Sequence, residues 1–103
     1  MRRAANRDHG HSAIVAALRK AGCSVASWGT DGAPDLVVGR AQVTYLLEVK
    51  DPIGPKGGTS RDGQQLNDRQ LRWHRNWNGH VDVVRSVQEA LEAVGIHREG
   101  FRS

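Results

Sequence analysis

Two apolar runs rich in β-branched residues, Asp35–Val38 and Gln42–Lys50, are separated only by Gly39-Arg40-Ala41. So short a connector predicts an antiparallel hairpin, because a crossover to a parallel partner needs a dozen residues or more. Side chains alternate along a strand, so Gln42, Thr44, Leu46, Glu48 and Lys50 share one face, and Val43, Tyr45, Leu47 and Val49 the other. The hairpin register brings the far end of the longer run to Asp35. Three charges, Asp35, Glu48 and Lys50, are therefore expected together at one end of an otherwise apolar hairpin.

The flanking sequence supplies the layers such a hairpin needs. Ser12 reads as the N-cap of a first helix, with Ile14, Val15 and Leu18 on its apolar face and Gly22 at its end. Ser24 to Trp28 reads as a strand preceding the hairpin, with a Gly-containing turn at 29–32. Asn67 opens a second helix through Trp77, Val81 to Arg85 forms a last strand, and Ser86 caps a final helix with Glu89 at the capping-box position. The expected order is α-β-β-β-α-β-α in one α/β domain over residues 1–103, with a basic arm at 1–11, a flexible loop at 51–65 and a tail at 96–103.

Fifteen Lys and Arg against eleven Asp and Glu give a net charge of +4 and a pI near 10.0, a balance that suits a polyanionic partner. The single cysteine, Cys23, excludes an internal disulfide and reads as a small buried apolar group, which fits a reducing cytosol. After Met1-Arg2-Arg3-Ala4-Ala5 the chain turns polar from Asn6 to Ser12, unlike a leader, and no apolar run approaches membrane-spanning length. A cytoplasmic protein is expected.

Two carboxylates held a few ångströms apart repel unless they share a proton or a cation, and oxygen ligands of this kind suit Mg²⁺ or Mn²⁺. A lysine beside that cation supplies charge that stabilises phosphodiester hydrolysis. Taken alone, Glu48-Val49-Lys50 reads as an ion pair on a strand face and Pro34-Asp35 as a turn. Together, Pro34-Asp35, a spacer and Glu48-Val49-Lys50 resemble the PD-(D/E)XK nuclease signature. More narrowly, the chain is similar to the small stand-alone VRR-NUC nucleases of phages and bacteria, which look like Holliday-junction resolvases. The resemblance runs from Arg7 to Gly95, taking in AALRKAGCSV before the motif and QLRWHRNWNGHVDVVRSVQEALEAVG after it.

That resemblance implies a restriction-endonuclease-like core, a mixed central sheet flanked by helices. It implies a metal-dependent endodeoxyribonuclease acting on branched or structured DNA such as Holliday junctions, in a bacterial or phage-infected cell, with Mg²⁺ or Mn²⁺ and no small-molecule cofactor. The alternative is a catalytically weak or inactive DNA-binding module that keeps the fold. Asp35, Glu48 and the main-chain carbonyl of Val49 would hold the metal, Lys50 would orient the attacking water, and Gln70 matches the family's glutamine on the following helix. Symmetric cleavage of a junction needs two sites, which a homodimer supplies.

Leu66, Gln70, Trp73 and Trp77 fall at i, i+4, i+7 and i+11, so Gln70 is one amide on an apolar stripe. It either serves the site or closes a capping box with Asn67. The helical spacing of Trp73 and Trp77 assigns them to the core in preference to base stacking. Arg61, Arg69, Arg72 and Arg75, with Lys56, read either as phosphate contacts or as a solvated face. The sequence departs from the family at two points. Relatives carry an acidic residue on the first helix where this chain has Asp8-His9-Gly10-His11-Ser12, so His11 either places an imidazole at the site, softening it towards Mn²⁺, or sits on a solvated arm. Val83 to Ser86 holds one arginine, Arg85, where the family label has two.

Overall fold

The computed structural model describes residues 8–51 and 66–96. The arm residues Arg2, Arg3 and Arg7, the segment 52–65 with Lys56 and Arg61, and residues 97–103 lie outside the described residues. The chain is an α/β domain: helix α1 (Asp8–Lys20), strand β1 (Ser24–Ser27), a tight turn (Thr30–Gly32), strands β2 (Leu36–Arg40) and β3 (Val43–Val49), helix α2 (Asp68–Asn76), strand β4 (Asp82–Val84) and helix α3 (Val87–Ala93). The four strands form one mixed sheet in the order β1-β2-β3-β4, antiparallel through β3 and parallel between β3 and β4.

The hairpin pairs Leu36 with Leu47, Val38 with Tyr45 and Arg40 with Val43. This register puts Leu36, Val38 and Leu47 on one face, fully buried with Ile14 and Leu18 of α1 and Ala90 and Val94 at α3. Slipping by one residue would turn that apolar set to the other face, so burial fixes the register. The turn is consequently not Gly39-Arg40-Ala41. Gly39 and Arg40 stay in the strand, and Ala41 (φ 53°) and Gln42 (φ 71°) form a two-residue turn with both φ values positive, as a type I′ hairpin turn requires.

Both core-side helices end in the same way. Gly22 N–H bonds the Arg19 carbonyl and Cys23 N–H the Leu18 carbonyl, while Gly95 and Ile96 bond Glu92 and Leu91 in the matching pattern. This glycine-terminated motif delivers the next residue into the core, and Cys23 and Ile96 are both buried. Ile96 thus belongs to the core rather than to a tail. Arg40 donates from Nη1 to the Val94 carbonyl (3.0 Å), satisfying a group at the end of α3. Helix α1 corrects a second boundary: it starts at Asp8, so His11 and Ser12 lie inside it and Ser12 is not its N-cap. No proline precedes Ser12 in this segment, and Gly10 costs a helix only about 1 kcal/mol, too little to stop it. Ser86 does cap α3, accepting from Glu89 N–H, but the Glu89 side chain reaches Arg85 N–H rather than that of Ser86. Among the described residues no helix is long and apolar enough to cross a membrane.

A residue with a Cβ pays about 1–2 kcal/mol in the left-handed region, and the hairpin has two such residues. We therefore expect Ala41→Asn with Gln42→Gly to stabilise the fold by about 1 kcal/mol, raising the thermal midpoint by about 4–8 °C in a domain of this size. Differential scanning calorimetry checks this; a lower midpoint would show that the turn is not strained.

Candidate functional site

The other sheet face carries the charges. Glu48, at the end of β3, is 1% exposed and is the one charged side chain among the described buried residues. A buried carboxylate is costly unless it is hydrogen-bonded and paired. Helix α2 supplies the partner. Gln70 donates from Nε2 to Glu48 Oε2 (2.9 Å), while its Oε1 accepts from Lys50 Nζ (2.9 Å). Lys50 Nζ lies 4.0 Å from the same Glu48 oxygen, with the Lys50 side chain 10% exposed. The two readings of Gln70 are both true. Its Oε1 also accepts from Asn67 N–H (2.9 Å) and its own N–H donates to Asn67 Oδ1 (2.9 Å), a complete capping box. One amide closes the helix start and joins the two charges at once.

Two features aim α2 at the sheet. The residues Asn67-Asp68-Arg69-Gln70 set the helix start, with Asp68 in the first turn where the helix dipole favours a negative charge. Gly32, in the tight turn after β1, packs against the Arg69 carbonyl so closely that a Cβ there would lie 2.5 Å from the oxygen. Any larger residue at 32 would push the first turn of α2, and Gln70 with it, away from Glu48.

Asp35 sits just outside β2, where the ladder ends. The Pro34 carbonyl accepts from Gly29 N–H, and Val49 N–H donates instead to Asp35 Oδ2 (2.8 Å). A strand residue directs its N–H and C=O to the same side, so the Val49 carbonyl shares the edge that carries the Asp35 carboxylate. Lys50 N–H bonds Val84 on the opposite side. Asp35, Val49, Glu48 and Lys50 therefore meet where the hairpin alternation puts them, at the β2–β3 end. Asp35 also terminates the ladder, a structural task the sequence gives no sign of.

His74 is the site residue that sequence reasoning missed. One helical turn beyond Gln70, its Nε2 lies 3.9 Å from Glu48 Oε1, and that buried nitrogen has no hydrogen-bond partner among the described residues. Burial first, and the Lys50 charge second, push its pKa below the ordinary histidine value, so the ring is neutral at neutral pH. The i, i+4 relation to Gln70 was the available signal. His11, read from the sequence either as a site imidazole or as part of a solvated arm, is half-buried within α1.

Arg69, Arg72 and Arg75 are exposed on α2. Trp73 and Trp77 are not core: α2 has no buried residue, and Trp77 is 40% exposed. Arg85 is half-buried behind β4. Among the described residues no group of three or more His, Cys, Asp or Glu side chains is arranged to hold a metal ion. The expected donors number two carboxylates and one carbonyl. All three donors are oxygens, the ligand type that suits a hard divalent cation. No family model, curated protein or solved structure matches the chain.

A histidine whose pKa is lower folded than unfolded binds its proton more readily in the unfolded state. Its contribution is fully present above the unfolded value of about 6.5 and is lost as pH falls below it towards the folded value. Urea midpoints measured from pH 7.5 down to pH 5 (on the order of the histidine titration range) should therefore fall in wild type and fall less in His74→Asn. Parallel profiles would show that His74 is not buried beside Lys50.

Proposed function

We propose that the chain is a metal-dependent DNA endonuclease with a restriction-endonuclease-like core of the VRR-NUC kind, hydrolysing phosphodiester bonds in branched or structured DNA. One observation carries this reading: Gln70 ties the buried Glu48 to Lys50 beside the Asp35–Val49 edge. Apolar residues would fill this position at lower cost, since buried ion pairs contribute little net stability. Charge retained in such a place is characteristic of sites that do chemistry.

Asp35, Glu48 and the Val49 carbonyl would hold Mg²⁺ or Mn²⁺. When bound, the ion offsets phosphodiester charge and acidifies a coordinated water. Lys50 Nζ, which donates to Gln70 Oε1 and lies 4.0 Å from Glu48 Oε2, would orient that water and face developing negative charge on the phosphate. Gln70 positions Lys50 and Glu48 and excludes other geometries. The arginines on α2 would meet flanking phosphates, giving salt-sensitive affinity. Two copies related by a twofold axis would cut a junction symmetrically.

A second reading, a DNA-binding module with weak or no turnover, is favoured by the N–H groups of Val49 and Gln70, which already engage an oxygen of each carboxylate. Labelled four-way junction, flap and linear duplex incubated with Mg²⁺, Mn²⁺ or EDTA separate the two. Cleavage that needs metal and falls at least about 100-fold in Lys50→Ala, a loss typical of removing one transition-state charge contact, with DNA binding retained in a variant that a thermal melt shows to be folded at the assay temperature, is the expected result. Binding without cleavage in either metal would establish the module instead.

A further inference from the structure

The sheet face that carries Glu48 continues into an open groove of about 650 Å³, floored by Val37 and Leu46 and walled by Trp28, Trp77 and His80. Leu46 precedes Glu48 by two residues, so the groove begins about 7 Å from the buried carboxylate along the strand. Its walls are held in place. Trp77 stacks on Trp73 with ring centroids 4.9 Å apart and planes 21° from parallel, and its Nε1 donates to the His80 carbonyl (3.3 Å). Trp73 meets Trp28 edge-on at 5.7 Å. Yet Trp28 remains 45% and Trp77 40% exposed, large aromatic surfaces that the described fold does not cover. Sharing Trp77 with the groove is a second hollow of about 240 Å³, lined by Asp31, Arg69, Arg72, Trp73, Asn76 and Trp77.

Flat aromatic surfaces edged by guanidinium groups match one ligand chemistry well: unpaired nucleobases, which stack on indole, joined by phosphates, which pair with arginine. We propose that this groove is a stacking platform for the unpaired bases of a DNA strand, with Trp28 and Trp77 holding bases while Arg69 and Arg72 take the backbone. The inference rests on the reading of the protein as one that acts on DNA, and it narrows the substrate. A fully paired duplex hides its base faces, whereas a flap, gap or opened junction offers them. The groove's position on the Glu48 face would carry a strand stacked there towards Lys50.

Full-length protein in EDTA is titrated with a fluorescein-labelled oligothymidylate and with a blunt duplex of equal length, following anisotropy and tryptophan emission. The oligothymidylate should quench the emission. Trp77→Leu should weaken its binding at least about fivefold while changing duplex binding less than about twofold, as loss of one stacked base requires; Arg72→Gln should weaken both probes. Circular dichroism checks folding, and Trp28→Leu serves as the second variant should Trp77→Leu unfold. Equal losses on both probes, absence of quenching, or a concentration-dependent dimer that buries the tryptophans without DNA would each overturn the platform. The two readings fail separately. Metal-dependent cleavage without quenching would remove only the platform, and quenching without cleavage would support the platform and remove only the nuclease.

Discussion

The side-chain amide of Gln70 is the interaction on which the rest of the site depends. Its oxygen accepts from a helix N-cap and from a lysine, and its nitrogen donates to a carboxylate buried to 1% exposure. An amide has two acceptor lone pairs and two donor hydrogens, and three of these four are committed here to three residues, Asn67 at the start of α2 and Glu48 and Lys50 at the end of β3. The orientation of the amide is thereby determined: reversed, it would set N–H against an ammonium and oxygen against a carboxylate. The capping box fixes where α2 begins, and the same side chain fixes which part of the sheet that helix serves.

Such an arrangement is sensitive to small displacements. Gly32 lets the α2 backbone approach the turn after β1, Asp35 ends the β2–β3 ladder by accepting from Val49, and His74 closes the far side of Glu48 as a neutral ring. A charged imidazole there would sit near Lys50 in a poorly solvated place, which is why burial and the Lys50 charge act on its pKa in one direction. The core lies on the other side of the sheet, among α1, α3 and the inner faces of β2 and β3. The polar cluster can thus be altered without touching the residues that close the fold.

Much of this was legible in the sequence, for physical reasons that also mark the limits. A strand's period of two, combined with a short connector, was enough to bring Asp35 to Glu48 and Lys50, because burying Leu36, Val38 and Leu47 permits one register. The spacing Asn67-x-x-Gln70 announced the cap, and the position of Gln70 on a helical stripe announced its inward direction. What failed was judged from single residues. Ser12 is a good cap by type, but nothing before it stops a helix, and Ile96 follows a glycine whose cap motif sends it inward. Trp73 and Trp77 have core-like spacing, yet spacing cannot show that the tryptophans would cover one another and leave a face open. His74 offered only its distance from Gln70, and His11 only its proximity to a family's motif.

On the proposed nuclease function, Glu48, Lys50 and Gln70 are held together for chemistry at some expense in stability, not as a brace for the fold. The thermal midpoint of Glu48→Leu/Lys50→Met/Gln70→Leu tests this most directly, because an apolar set of similar volume removes the desolvation cost of all three groups together. A midpoint at or above that of wild type is expected. A midpoint lower by about 10 °C or more, equivalent to some 2 kcal/mol in a domain of this size, would make the cluster a structural brace and contradict that expectation.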